Sequence, residues 1–193
     1  MTRLDPRAPL VLDIRDLRRR PGSLRELHRR VQVPDPLGTD VVAVRAGDPV
    51  EIDLRAEAVS EGVLLSGTVR ATASGMCVRC LDPVRLPVQA DLQELCVYAD
   101  RAAHHHDVAA DPDDAEVYEL AGDLLDLEPV LRDAVVPSLP FQPVCRVDCP
   151  GLCSECGARL ADDPGHQHDV VDPRWAALSA LLTAEPETEE KRN

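Results

Sequence analysis

Aromatic side chains are scarce in this chain of 193 residues, with only Tyr98, Tyr118, Phe141 and Trp175. Four rings are too few to build a platform on which exposed bases could stack. No run approaches the roughly 18 apolar residues that a membrane helix needs, so a soluble protein with no membrane partner is expected. The opening Met1-Thr2-Arg3-Leu4-Asp5-Pro6 places Asp and Pro where an export signal carries its apolar stretch, which points to the cytoplasm. A Walker loop, GxGxxG, GxSxG and HExxH are all absent, and no internal repeat is visible. The expectation is a protein that is not an enzyme and has no small-molecule substrate.

What is present is a globular mix, 44% apolar and 29% charged, in a chain long enough for one domain with a small appended module. The organisation expected is a single domain over residues 1–183, with a Cys/His metal module at about 143–170 and a charged tail over 184–193. The formal net charge is -14, but it is unevenly placed. Residues 1–30 hold nine Arg against four acids, a net of +5, which leaves -19 for the rest. An acidic body repels phosphate backbones and suits a basic protein partner. Contact with RNA would have to use the Arg-rich segment, through Arg18, Arg19, Arg20, Arg25, Arg29 and Arg30.

Alternating apolar and polar residues mark the strands. Leu10–Leu17 alternates almost throughout, and Val50–Ala58 does so strictly. A turn near Ser60-Glu61-Gly62 joins the latter to Val63–Ala73, giving an antiparallel hairpin, with shorter strands over Val41–Val44 and Pro87–Tyr98. Three helices are predicted. Ser23-Leu24-Arg25-Glu26 reads as a capping box opening a short helix with Leu24, Leu27 and Val31 on one face. Asp126 caps a second carrying Leu127, Val130, Leu131, Ala134 and Val135, ended by Pro137 and Pro140. Asp172-Pro173 opens a third with Trp175, Leu178, Leu181 and Leu182. Between them, 100–126 reads as a loop with one ordered piece at Glu116–Leu120; its triplet His104, His105, His106 is a polar stretch rather than a metal site. The fold class is α+β: an antiparallel, barrel-like sheet with two or three short helices and a small Cys/His zinc-binding insert near the C-terminus.

Seven cysteines are an odd number, better read as metal ligands or free thiols than as a disulfide framework. Cys145, Cys149, Cys153 and Cys156 are followed by His166 and His168, six potential ligands in 24 residues. Zinc takes four such donors in a tetrahedron, and a CxxC turn sets two thiolates on one metal. Cys153 and Cys156 are the firmest pair, and the other two ligands come from Cys145, Cys149, His166 and His168. With every position filled by protein, such a zinc would be structural. Cys77-Val78-Arg79-Cys80 is a second pair, lying past a hairpin rather than at the helix start where redox dithiols belong. It reads as a metal half-site or a structural turn before it reads as a thiol oxidoreductase. Cys96 sits in an apolar stretch as a small buried hydrophobe.

Leu12-Asp13-Ile14 with Leu17, Pro21-Gly22, Gly67-Thr68-Val69, the run Cys77–Val84, the run Cys149–Gly157 and Asp172-Pro173-Arg174-Trp175 occur in this order. The series resembles the YceD family, the large ribosomal RNA subunit accumulation proteins, over about residues 10–183. The resemblance implies a role in making or accumulating large-subunit ribosomal RNA, without known catalytic activity. It also implies a gene commonly neighbouring that of a small, basic, zinc-binding large-subunit ribosomal protein. The partner expected is a large-subunit ribosomal protein or a pre-ribosomal particle. Cys77 and Cys80 match the family's first cysteine pair, and Cys149, Cys153 and Cys156 its later segment. Where many relatives carry CxC, this chain has His166-Gln167-His168, which keeps metal-binding donors but makes them less soft.

Overall fold

The structure is a computed structural model and describes residues 4–17, 20–102 and 118–168. The chain divides into two compact units, Met1–Cys149 and Pro150–Asn193. The predicted helix at Asp172, the histidine triplet and the charged tail lie outside the described residues.

The strands of the first unit are β1 (Val11–Asp13), β2 (Leu24–Gln32), β3 (Leu37–Gly38), β4 (Val42–Val44), β5 (Pro49–Ala58), β6 (Gly62–Met76), β7 (Pro83–Tyr98), β8 (Tyr118–Leu120) and β9 (Leu124–Asp126). A 3-10 turn follows β1 at Arg15–Leu17, and helix α1 spans Glu128–Ser138. The unit is mostly sheet, curled into a half-barrel, and the α+β class holds. β6 organises it. One edge pairs with β7 along its whole length, from Gly62↔Val97 to Met76↔Pro83. The other edge pairs first with β5 and then, further along, with β4. β8 adds to β7 in parallel, and β1 pairs with β9 as a separate two-stranded ribbon.

Alternation places the core. In β5, Val50, Ile52, Leu54, Ala56 and Ala58 are buried while the intervening residues face outward, as a half-buried strand requires. Gly67 lets β5 and β6 approach closely: at φ +155° it occupies backbone space that L side chains rarely adopt, and a Cβ there would lie 2.0 Å from the Asp53 carbonyl oxygen.

Residues 23–32 are not the predicted helix. They form β2, which pairs antiparallel with β5 from Leu24↔Glu57 to Gln32↔Pro49. The helical stripe does not exist in space, since Leu27 is buried but Leu24 is 44% exposed. A capping box stabilises a helix end by about 1 kcal/mol, whereas nine paired residues satisfy the whole free edge of β5. Long-range pairing therefore overrides the local signal. On β2, Arg25, Leu27, Arg29 and Val31 share the inward face, and exposed Glu26, His28 and Arg30 guard the sheet edge. Arg25 Nη1 donates to the Asp13 carbonyl at 2.9 Å, and Arg29 Nη1 to that of Val11 at 3.3 Å.

The helix predicted after Asp126 is present as α1. The Asp126 carboxylate accepts the Glu128 amide at 3.0 Å, and Val130, Leu131 and Val135 are buried. α1 packs on β7 and β3, and Arg132 donates to the Pro36 carbonyl at 3.2 Å. The ordered piece predicted near Glu116 is β8. Cys96 is fully buried within the core, where burial pushes its thiol up to about 12.

Candidate metal centres

The candidate ligands fall into two separate quartets, one in each unit. In the first, the β6–β7 hairpin loop, residues 77–82, carries Cys77 and Cys80, and the segment after α1 returns Cys145 and Cys149 to them. The four sulfurs lie within 4.8 Å of one another, with Cys77 Sγ 3.9 Å from Cys149 Sγ and Cys80 Sγ 3.7 Å from Cys145 Sγ. Sulfurs bound at about 2.3 Å to one zinc are spaced about 3.8 Å along the tetrahedron's edges, whereas a disulfide needs about 2.05 Å. Cys77, Cys80 and Cys149 are buried and Cys145 is exposed.

Local hydrogen bonds fix both segments. The Cys77 amide donates to Asp82 O at 2.7 Å and the Leu81 amide to Cys77 O at 2.9 Å, closing the loop. Across the gap the Val78 amide donates to Pro143 O at 2.9 Å, while Arg79 Nη1 donates to the carbonyls of Val147 and Cys149 at 3.2 and 3.0 Å. Burial raises the Cys77 thiol, but amide hydrogen bonds from Cys145, Cys80 and Arg79 outweigh it and bring it down to about 6. Cys80 goes the other way, to about 12. An amide bond from Asp82 lowers it, yet burial and the sulfurs of Cys77, Cys149 and Cys145 together raise it further. Burial and the Cys149 thiol likewise push Cys145 up. Four crowded sulfurs resist ionising together unless a cation shares the charge.

The second quartet is Cys153, Cys156, His166 and His168, also within 4.8 Å of one another. A Leu152↔Arg159 bridge brackets the CxxC turn, the Cys153 amide donates to Ala158 O at 2.8 Å, and the Gly157 amide donates to Cys153 O at 2.9 Å. Gly157 has φ +72°, the left-handed conformation this turn needs. Cys156 Sγ lies 3.1 Å from His166 Nε2 and 3.2 Å from His168 Nε2, and the two Nε2 atoms are 2.8 Å apart. These spacings sit a few tenths of an ångström inside the roughly 3.3–3.6 Å edges of a filled S2N2 tetrahedron. The other nitrogen of His166, Nδ1, faces the Asp163 carboxylate at 3.7 Å, beyond hydrogen-bond distance. Amide bonds from Cys156 and Glu155 hold the Cys153 thiol down at about 6, against burial. Both donor sets fit a soft or borderline divalent metal.

The sequence-predicted residues are thus divided. Cys153 and Cys156 meet His166 and His168, whereas Cys145 and Cys149 are drawn to Cys77 and Cys80. The meeting of two cysteine pairs more than 60 residues apart escaped the sequence reading. A count held the signal: with Cys96 set aside as core, six cysteines and two nearby histidines make two sets of four.

Among the described residues, the arginines proposed for RNA contact do not form a free stripe. Arg25 and Arg29 bind β1 carbonyls, Arg25 also pairs with Asp16 at 3.1 Å, and Arg30 faces Glu51 at 3.7 Å. Arg20 is exposed, and Arg18 and Arg19 lie outside the described residues. A depression of about 520 Å³ over β2 and β5 is lined by Glu26, His28, Asp53 and Arg55. Its central carboxylate is already paired, Asp53 meeting His28 and accepting from Arg70 at 2.7 Å.

A family model described as "Large ribosomal RNA subunit accumulation protein YceD" matches residues 65–182, which include both quartets. Among individual relatives, an uncharacterized protein of Mycobacterium tuberculosis strain H37Rv is 48% identical over 94% of this chain and 85% of its own length. One from Mycobacterium leprae is 43% identical over 95% of this chain and 82% of its own. The uncharacterized protein YlbN of Bacillus subtilis is 27% identical over 75% and 81%. No solved structure matches.

Proposed function

This chain belongs to the YceD family, and from that premise we propose that it is a non-enzymatic factor in ribosome biogenesis. It supports the synthesis or accumulation of large-subunit ribosomal RNA by binding a basic ribosomal protein or a pre-ribosomal particle in the cytoplasm. The observation that carries this reading beyond the family is electrostatic. The chain has a formal charge of -14, and Arg25, Arg29 and Arg30 are held by backbone carbonyls or carboxylates within the fold. A negative surface attracts basic partners and speeds their encounter, while it disfavours bare phosphate backbones. Zinc held by Cys153, Cys156, His166 and His168 is the structural cofactor: four protein donors leave no position for a reactive water. A thiol oxidoreductase finds less support, because Cys77 and Cys80 lie in a β-hairpin loop rather than at a helix N-terminus.

Crosslinked pull-down from growing cells, with and without nuclease, tests the reading. Large-subunit ribosomal proteins should be recovered whether or not the RNA is digested. Recovery that vanishes with nuclease would favour direct RNA binding through Arg18, Arg19 and Arg20. Depletion should lower mature large subunits relative to small ones, and an unchanged ratio would count against the function itself.

A further inference from the structure

We propose that Cys77, Cys80, Cys145 and Cys149 form a second zinc site, so that the full chain holds two zinc ions in independent centres of different donor chemistry. Several observations beyond the presence of four cysteines support it. The sulfur spacings of 3.7 and 3.9 Å match the edge of a zinc tetrathiolate and are far too long for disulfides.

The two CxxC turns share one backbone design. In each, the amide following the second cysteine donates to the carbonyl of the first at 2.9 Å, from Leu81 in one and Gly157 in the other. In each, that following residue is left-handed, Gly157 at φ +72° and Leu81 at +62°. Leucine is strained there, and Leu81 is the one non-glycine residue with positive φ among the described residues. Leu81 is 57% exposed, so packing does not impose the conformation. Ligation of Cys77 and Cys80 by one ion does, because it holds both sulfurs on the same side of the turn.

These loops also lack an apolar anchor of their own. The small core beneath them is Cys77, Cys80, Val84 and Cys149 with Val144 against it, so its buried members are mostly sulfur. The larger apolar side chains that could have held the segments point outward instead: Met76, Val78, Leu81, Phe141 and Val147 are exposed, Phe141 at 99% and Val147 at 90%. A segment that buries the Cys149 thiol and exposes its phenylalanine is held by something other than hydrophobic burial. Metal–thiolate bonds supply that, as in small domains whose folding energy is their metal binding. Binding one Zn²⁺ displaces the thiol protons to solvent and leaves a centre of net charge -2. Amide donors from Arg79, Cys80 and Cys145 to Cys77, and from Asp82 to Cys80, offset that charge.

The untagged full-length protein, purified without chelator and analysed by native mass spectrometry, should carry two zinc ions. The variant C80S/C149S should carry one, and the variant C156A/H168A one. After exchange into cobalt, the thiolate-to-metal charge-transfer absorption should fall to about one third in C80S/C149S, since six thiolates become two. Should that variant fail to fold, alkylation mapping of the unmutated chain decides. Cys77, Cys80, Cys145 and Cys149 should resist iodoacetamide until a strong chelator is added, then react together. The proposal is overturned if the chain holds at most one zinc that the C156A/H168A variant loses, if those four thiols alkylate freely beforehand, or if they prove to be disulfide-bonded. None of these readouts depends on the ribosomal role.

Discussion

The close approach of β5 and β6 at Gly67 offers the sharpest test of the fold. In Gly67→Ala, the added Cβ would meet the Asp53 carbonyl oxygen at 2.0 Å and Leu54 Cα and Cδ2 at 2.9 Å. The first two are backbone atoms within a continuous ladder, Leu54↔Gly67, so neither strand can give way alone. Displacing them costs about 1–3 kcal/mol, as overpacking does. The unfavourable φ of +155° adds about 1–3 kcal/mol. Together the loss is about 2–6 kcal/mol. Gly122→Ala is the control, because Gly122 also has positive φ, +69°, but nothing lies within 4 Å of the site of a new Cβ. It keeps the backbone cost of about 1–2 kcal/mol and loses the clash. Thermal unfolding at a fixed concentration of added zinc, followed by circular dichroism, reads the difference. At about 2–4 °C per kcal/mol for a chain of this size, Gly67→Ala should melt well below Gly122→Ala. Equal melting points would mean that the two strands do not pack as closely as described, and would refute the register that places Gly67 opposite Leu54.

Other outcomes follow from single side chains. Leu131 is fully buried under α1, and Leu131→Ala should lose about 2–5 kcal/mol in denaturant unfolding. Cys96→Ser places a hydroxyl in the apolar core and should cost about 1–3 kcal/mol while metal content by mass spectrometry stays unchanged, separating the core cysteine from the ligands. Asp13 has a carboxyl held down to about 2, chiefly by side-chain hydrogen bonds from Arg15. A folded-state pKa below the unfolded value makes its contribution fully present above about pH 4 and lost as pH falls towards 2. Asp13→Asn should therefore flatten the fall in stability between pH 4 and 2 while leaving the profile near neutrality unchanged in shape.

Residues with an unambiguous period were readable in advance. Val50–Ala58 alternates strictly, and because only one register buries all its apolar side chains, both its type and its inward face followed from sequence. The hairpin to β6 and the helix after Asp126 were legible for similar reasons. Ser23–Val31 was not. Its leucines sit three apart and it opens with a capping box, so local chemistry favoured a helix, while the free edge of β5 decided for a strand. The paired positions on that edge lie 17 to 33 residues downstream, beyond the range of any local pattern.

The candidate metal centres divide along the same line. Sequence alone determined which donors exist and that the sulfurs of Cys153 and Cys156 can meet, because a two-residue spacing brings them together by backbone geometry. It also determined the acidic balance and the absence of familiar enzymatic motifs. Only the tertiary structure decided the partition of the remaining ligands. Cys145 and Cys149 are nearer in sequence to Cys153 than to Cys80, yet β6, β7 and the chain leaving α1 carry them to the hairpin loop. Short spacings act through a few torsion angles and are written in the sequence itself, whereas contacts across 65 residues depend on the packing of every strand between them.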